Sequence, residues 1–229
     1  MKRKIYTETA YFAGLVLLAI ATALMEKADF GMSMVVAPAY LLHLKLVQVW
    51  PFFSFGMAEY CLQAVLLLLL MLVLRRFRLS YLFSFVTAVL YGFLLDAAIA
   101  LFSSIACSTF AARLVFYVAG LLLCALSISL LFHTYLPPEA YELFVKEISS
   151  AFHLDIHRCK TVYDCVSCLI SVGLSFVFFG LWQFEGVKLG TVFCALVNGW
   201  LIGRWTHLME KHFTFVDALA LRHSRLFAE

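Results

Sequence analysis

Charge is what this sequence has least of. Only 14% of its 229 residues are Asp, Glu, Lys or Arg, against 64% hydrophobic, whereas soluble domains are about a quarter charged and about half apolar. A chain of that composition cannot cover a globule with polar side chains, so the bilayer is its solvent. The net charge of +3 is too small to attract nucleic acid, which excludes that class of partner. No Ser-His-Asp order, phosphate loop or HExxH motif occurs, and nothing points to an enzyme. Disulfides are not expected either: Cys61, Cys124, Cys165, Cys168 and Cys194 lie inside apolar runs, where cysteine behaves as a small hydrophobe. His157, Cys159, Cys165 and Cys168 invite a metal reading, but ligands inside a span need supporting polar groups that the sequence does not supply. No cofactor or metal is therefore expected. Met1-Lys2-Arg3-Lys4 before an apolar run has the look of a secretory leader, yet no small-residue cleavage site precedes Glu26-Lys27-Ala28-Asp29. The run reads as a permanent first helix.

What the sequence has instead is long apolar runs. A hydrocarbon core of roughly 30 Å takes about 20 residues of helix, so the chain has room for about six spans. Runs bounded by charge place them at about 9–28, 54–74, 79–102, 112–134, 160–181 and 188–207. Residues 30–46 are apolar but contain Gly31, Ser33, Pro38, His43 and Lys45, which fits a short broken or re-entrant helix. Residues 137–152 are its more polar counterpart, starting at Pro137-Pro138 and carrying Glu139, Glu142, Lys146 and Glu147.

Six spans satisfy the positive-inside rule. With both termini cytoplasmic, Lys2, Arg3, Lys4, Arg75, Arg76, Arg78, Lys146, Arg158, Lys160, Arg204, Lys211, Arg222 and Arg225 lie inside, and Lys27, Lys45, Arg113 and Lys188 outside. This describes a multi-pass protein of the cell membrane, inner or plasma. Residues 208–229 mix apolar and basic side chains and are expected as an interfacial cytoplasmic helix.

The chain also echoes itself. Ala13-Gly14-Leu15 recurs as Ala119-Gly120-Leu121, Cys61 aligns with Cys165, and Ala88 to Leu95 aligns with Ala195 to Ile202 through Gly92 and Gly199. Three matches in order at nearly one lag divide the protein into a first three-helix repeat (1–108), a second (109–207) and the terminal helix (208–229). Three spans is an odd number, so the second copy is inverted. The expected fold is an all-α membrane protein of six transmembrane helices in two inverted repeats, an architecture characteristic of secondary transporters.

Two stretches carry a family resemblance: Lys27-Ala28-Asp29-Phe30-Gly31-Met32-Ser33 after the first span, and Leu189-Gly190-Thr191 through Asn198-Gly199 in the last. In these the chain resembles the YczE/YitT-like bacterial membrane proteins, a poorly characterised group; the resemblance implies about six helices and names no substrate. The pattern departs at Met34, where the family commonly has proline after the serine.

Ionisable groups inside spans are costly and call for partners or a cavity. The candidate substrate- or ion-binding residues are Glu26, Lys27, Asp29, Gly31, Ser33, Glu59, Asp96, His133, Asp164 and Asn198. Glu26, Lys27 and Asp29 read equally as a charged helix boundary or as a gate beside a short helix opened by Gly31 and Ser33. Glu59 and Asp164 occupy similar places in the two halves, and inverted symmetry expects them near opposite membrane faces. Asp96 lies deeper, as a coupling carboxylate or a structural hydrogen-bond acceptor. His133 reads as interfacial, and Asn198 as a solute contact or an interhelical bond.

These features favour a secondary transporter for a small polar solute or ion, with proton coupling an option. Two other classes fit the same chain: the substrate-capture S component of an energy-coupling-factor importer, and a non-transporting scaffold or regulator. Gly199 and Gly203, four apart, offer a face on which two copies could pack as a homo-oligomer.

Overall fold

Apolar runs become helices where a polar residue can satisfy their first amides. In the computed structural model, which describes residues 3–105, 107–180 and 187–218, Ser54 accepts from Met57 N at 3.1 Å, Thr109 from Ala112 N at 3.3 Å and Asp155 from Arg158 N at 2.9 Å. The elements are strand β1 (Arg3–Tyr6), helices α1 (Thr7–Ala28), α2 (Ala37–Leu46), α3 (Phe55–Leu74), α4 (Leu79–Phe102), α5 (Phe110–Phe132), α6 (Ala140–Ala151), α7 (Ile156–Phe179) and α8 (Leu189–His212), and strand β2 (Phe213–Val216). Apart from the two strands the described fold is helical. The order long, short, long, long occurs twice.

Five helices are long and apolar enough to cross a membrane: α1, α3, α4, α5 and the Arg158–Phe179 part of α7. Their outward side chains, among them Leu68, Leu69 and Leu72 on α3, Phe93 on α4 and Val177 on α7, are exposed, as side chains facing lipid tails are. α8 has the length, but Asn198, Arg204, His207, Glu210 and Lys211 lower its mean hydropathy. The chain is thus a multi-pass membrane protein.

α1 and α5 form the centre. A Cβ on Gly14 of α1 would stand 3.0 Å from Leu131 and 3.3 Å from Ser127 O, and one on Gly120 of α5 would stand 2.7 Å from Met25 and 2.9 Å from Ala21 O. Residue numbers rise on one helix as they fall on the other, so the pair runs antiparallel with reciprocal contacts. α4 packs on α1 and α3 as α8 packs on α5 and α7. Each short helix reaches into the other half: α2 packs on α3 and α7, and α6 on α7, α3 and α4.

The two ends of the chain meet. β1 and β2 pair in parallel, from Arg3 opposite Phe213 to Tyr6 opposite Val216. Thr7 Oγ1 donates to Asp217 Oδ1 at 2.9 Å and Ala218 N to Glu8 Oε2 at 3.1 Å. The independent helix expected over 208–229 does not form in the described part: 208–212 extend α8 and 213–216 are the strand. Residues 3–6 offer β2 a partner for its backbone, which interfacial burial alone would not. Residues 219–229 lie outside the described residues.

Candidate functional site

Pro137 and Pro138 lack backbone N–H groups and fix φ, so α6 cannot extend backwards through them. Their carbonyls instead accept from α4: Thr87 Oγ1 donates to Pro137 O at 3.1 Å and Ser84 Oγ to Pro138 O at 2.6 Å. Ser84 and Thr87 are five and eight residues into α4, so the start of α6 is held roughly 8–12 Å along that helix, at 1.5 Å per residue. The first free amide of α6, Ala140 N, donates to Gln63 Oε1 on α3 at 3.0 Å.

Gln63 then organises two carboxyl groups. Its Nε2 donates to Glu139 Oε2 at 3.2 Å and to Glu59 Oε2 at 3.4 Å, and Tyr141 OH donates to the same Glu59 oxygen at 2.9 Å. One turn along α6, Glu142 Oε1 accepts from Lys160 Nζ of α7 at 3.3 Å, and Asp164 Oδ1, four residues on from the lysine, stands 3.2 Å from the same ammonium. The Tyr163 ring lies 5.5 Å from Nζ, within cation–π range. Glu59, Gln63, Glu139, Glu142, Lys160 and Asp164 are each at most 3% exposed.

This is an excess of negative charge among fully buried side chains. Four carboxyl groups against one ammonium would leave −3 if all ionised (1 − 4), and an uncompensated buried charge costs several kcal/mol. The cluster must therefore take up positive charge, as protons or as cations. Glu139, ahead of α6 and outside the spans, shows the effect: burial first, then the charges of Glu142 and Glu59, push its carboxyl well above the usual range. Glu59 Oε1, Glu139 Oε1 and Glu142 Oε2 have no hydrogen-bond partner, and neither has any side-chain N or O of the fully buried Asn198. Asn198 lies one turn beyond Cys194 on the buried face of α8, and Cys194 is within electrostatic reach of Asp164 and Lys160.

Of the residues expected from sequence, Glu59 and Asp164 belong here, and Asn198 is buried without a partner on α8. The expectation that Glu59 and Asp164 would lie near opposite faces is corrected: the inserted start of α6 brings both within reach of Glu142. Asp96 is elsewhere, accepting from Gly56 N at 2.9 Å and so capping α3, which is the structural role of the two read for it. His133 ends α5, bonded to Ser129 O at 2.7 Å and stacked on Phe215.

Glu26, Lys27, Asp29, Gly31 and Ser33 form a separate group. Glu26 and Lys27 line a surface depression of about 450 Å³ with Ser103, Ser104, Ile105 and Cys107. Asp29 ends α1 in the left-handed conformation (φ 53°) and pairs with Arg113 at 2.7 Å and with Lys188. Gly31, at φ 108°, would carry a side chain only under strain: its Cβ would crowd Thr191 Oγ1 and stand 2.9 Å from Lys188 N. Ser33 is buried, its carbonyl accepting from Val36 N and Ala37 N as α2 begins. This group fastens the loop before α2 to the start of α8.

Sequence reading missed Gln63, Glu139, Tyr141, Glu142 and Lys160. Lys160, expected at the cytoplasmic start of the span 160–181, is 1% exposed and lies four residues into α7. The signals present were the spacing of four in Glu59–Gln63 and in Lys160–Asp164, each pair sharing one helix face. Among the described residues no three His, Cys, Asp or Glu side chains come together as a metal-ion group.

The sequence model of a family of unknown function, DUF6198, matches residues 5–207, and the chain belongs to that family. No curated protein and no solved structure matches it.

Proposed function

We propose that this member of the DUF6198 family is a proton-coupled secondary transporter for a small polar solute or ion, working by alternating access between two inverted three-helix repeats, 1–108 and 109–207. The observation that carries the reading is the group Glu59, Glu139, Glu142 and Asp164 around Lys160, buried where four of the carboxyl oxygens (Glu59 Oε1, Glu139 Oε1, Glu142 Oε2 and Asp164 Oδ2) have no protein partner. A purely structural cluster would be expected to match its charges. One with surplus carboxyl groups gains and loses protons as access changes.

The packing supports the repeat. Long, short, long, long is used twice, the central α1–α5 contacts are reciprocal, and each short helix penetrates the opposite half. Short helices with buried starts at the repeat interface are where such transporters hold their solutes. The resemblance to the YczE/YitT-like proteins fits the same architecture.

The terminal strands support six spans. Pairing of β1 with β2 puts the beginning of α1 beside the end of α8, so the number of crossings between them is even. Five apolar helices leave one too few, and α8, 24 residues long, is the sixth. The positive-inside rule then puts both ends in the cytoplasm of a cell whose inner or plasma membrane holds the protein.

The test is flux. Purified protein in liposomes with an imposed pH gradient and an internal pH-sensitive dye should release protons when a transported solute is added. Glu139→Gln and Asp164→Asn should each reduce the coupled flux at least tenfold while still folding. Absence of proton movement and of gradient-driven uptake across a panel of amines, amino acids and metal ions would refute the proposal.

A further inference from the structure

The cluster already displays one way of holding a positively charged group. Lys160 brings its ammonium to Glu142 Oε1 at 3.3 Å and Asp164 Oδ1 at 3.2 Å, with the Tyr163 ring 5.5 Å away. Two carboxyl groups and an aromatic ring suit an ammonium, because three N–H donors need acceptors and the charge favours a π face.

The same set of groups recurs next to it without a cation of the chain's own. Glu59 and Glu139 are bridged by Gln63 Nε2, and Tyr141 stands against Glu59. The oxygen that each glutamate does not give to Gln63 is fully buried and has no protein partner. Asn198 is a further fully buried amide without a partner, one turn beyond Cys194 on the buried face of α8. An amide can accept from one ligand donor while donating to an acceptor on the same ligand.

We infer that Glu59 and Glu139 bind the ammonium group of a small amine, with Lys160 as the tethered counterpart that keeps Glu142 and Asp164 from competing for it. This rests on the transport reading for its purpose and names that reading's substrate class. Without a ligand both glutamates carry a proton; an ammonium that binds takes the place of one of these protons and the other stays. A proton and an ammonium ion therefore exchange at a single pair, which links uptake of one to release of the other.

The geometry does not favour an alkali or divalent ion. Such ions require six or so oxygen ligands at short range, and no group of three acidic, His or Cys side chains is arranged for a metal among the described residues. An ammonium is satisfied by two or three acceptors.

The experiment uses the full-length protein in detergent, with methylammonium as probe and sodium, potassium and tetramethylammonium chloride at equal ionic strength as controls. Binding is read by thermal shift and by calorimetry between pH 6 and 9. The expected result is saturable stabilisation by methylammonium alone. Its affinity should weaken about tenfold for each unit of pH lost on the acid side, where protons compete for the pair. Glu139→Gln and Glu59→Gln should each weaken it at least tenfold. Asp96→Asn, outside the cluster, should leave it within twofold and guards against a general loss of folding. Equal shifts from all four salts, or a response to pH with none to methylammonium, would overturn the inference. The second outcome leaves a proton-coupled transporter standing, whereas methylammonium binding without proton flux in liposomes would remove the transport reading and keep the site.

Discussion

Replacing Lys160 by methionine removes the one positive charge of the cluster while keeping most of the side chain's length and apolar stem. In the intact protein the ammonium stands 3.3 Å from Glu142 and 3.2 Å from Asp164 and is 1% exposed. Breaking a buried ion pair by deleting one partner costs about 3–5 kcal/mol, because the other partner keeps an uncompensated charge. For a chain of 150–250 residues each kcal/mol moves the melting temperature by about 2–4 °C, so Lys160→Met should lower it by roughly 6–20 °C at pH 8. Protons can take the place of the missing ammonium, so the deficit should shrink by at least half at pH 5. Pairing the change with Asp164→Leu, which deletes one of the orphaned carboxylates, should recover part of the loss at pH 8. The assay is intrinsic-fluorescence melting in one detergent across pH 5–8. A single variant that melts within about 2 °C of wild type at pH 8, or whose deficit is the same at both ends of the range, would refute the reasoning that Lys160 is the charge holding the cluster together.

Glu139 gives a pH dependence of the opposite kind. Its folded-state value is raised, so between the ordinary carboxylate value and the raised one the folded protein binds more protons than the unfolded chain, and stability falls as pH rises through that window. Glu139→Gln should flatten the alkaline side of the stability profile measured by the same melting assay. Asp96→Ala should lose about 1 kcal/mol through the cap it removes from α3, seen as a small melting shift with an unchanged pH profile; a change in proton coupling would restore Asp96 to the site. Gly31→Ala meets both a left-handed φ of 108° and a contact with Thr191, and should cost about 1–3 kcal/mol. Gly173→Ala, on α7 with nothing within 4 Å of the added methyl, should hold or raise stability by up to about 1 kcal/mol, and thermal melts of the pair measure the contrast.

The helices were legible because hydropathy decides them: the run expected at 79–102 is α4, and that expected at 54–74 differs from α3 by one residue. The short segments were legible through Pro38 and Pro137-Pro138, which mark where α2 and α6 begin. The candidate site was half legible. Glu59, Asp164 and Asn198 stand out as polar residues in apolar runs. Lys160, four residues into α7, carries the same sequence signature as a loop charge that sets orientation. Only the position of α6, fixed by Ser84 and Thr87 of another helix, turns it inward. Glu139 and Glu142 look like the wet face of an amphipathic helix for the same reason. Asp96 accepts from the start of a neighbouring helix, and a carboxyl in that role is as isolated in sequence as one that binds an ion. The pairing of β1 with β2 joins segments some 210 residues apart, and no local pattern announces it.

That pairing makes the polypeptide nearly a ring. Residues 3–6 lie alongside residues 213–216, and the two halves are otherwise joined by the single connection between α4 and α5. A chain cut in that connection, with the end of β2 led back to the start of β1 by a linker of about a dozen residues, as a parallel pair requires, should keep its interhelical contacts while carrying the halves in swapped order. Tolerance of such a circular permutation follows when the starting point of a sequence is arbitrary with respect to its packing. A permuted protein that folds would separate the genetic order of its helices from the architecture they build.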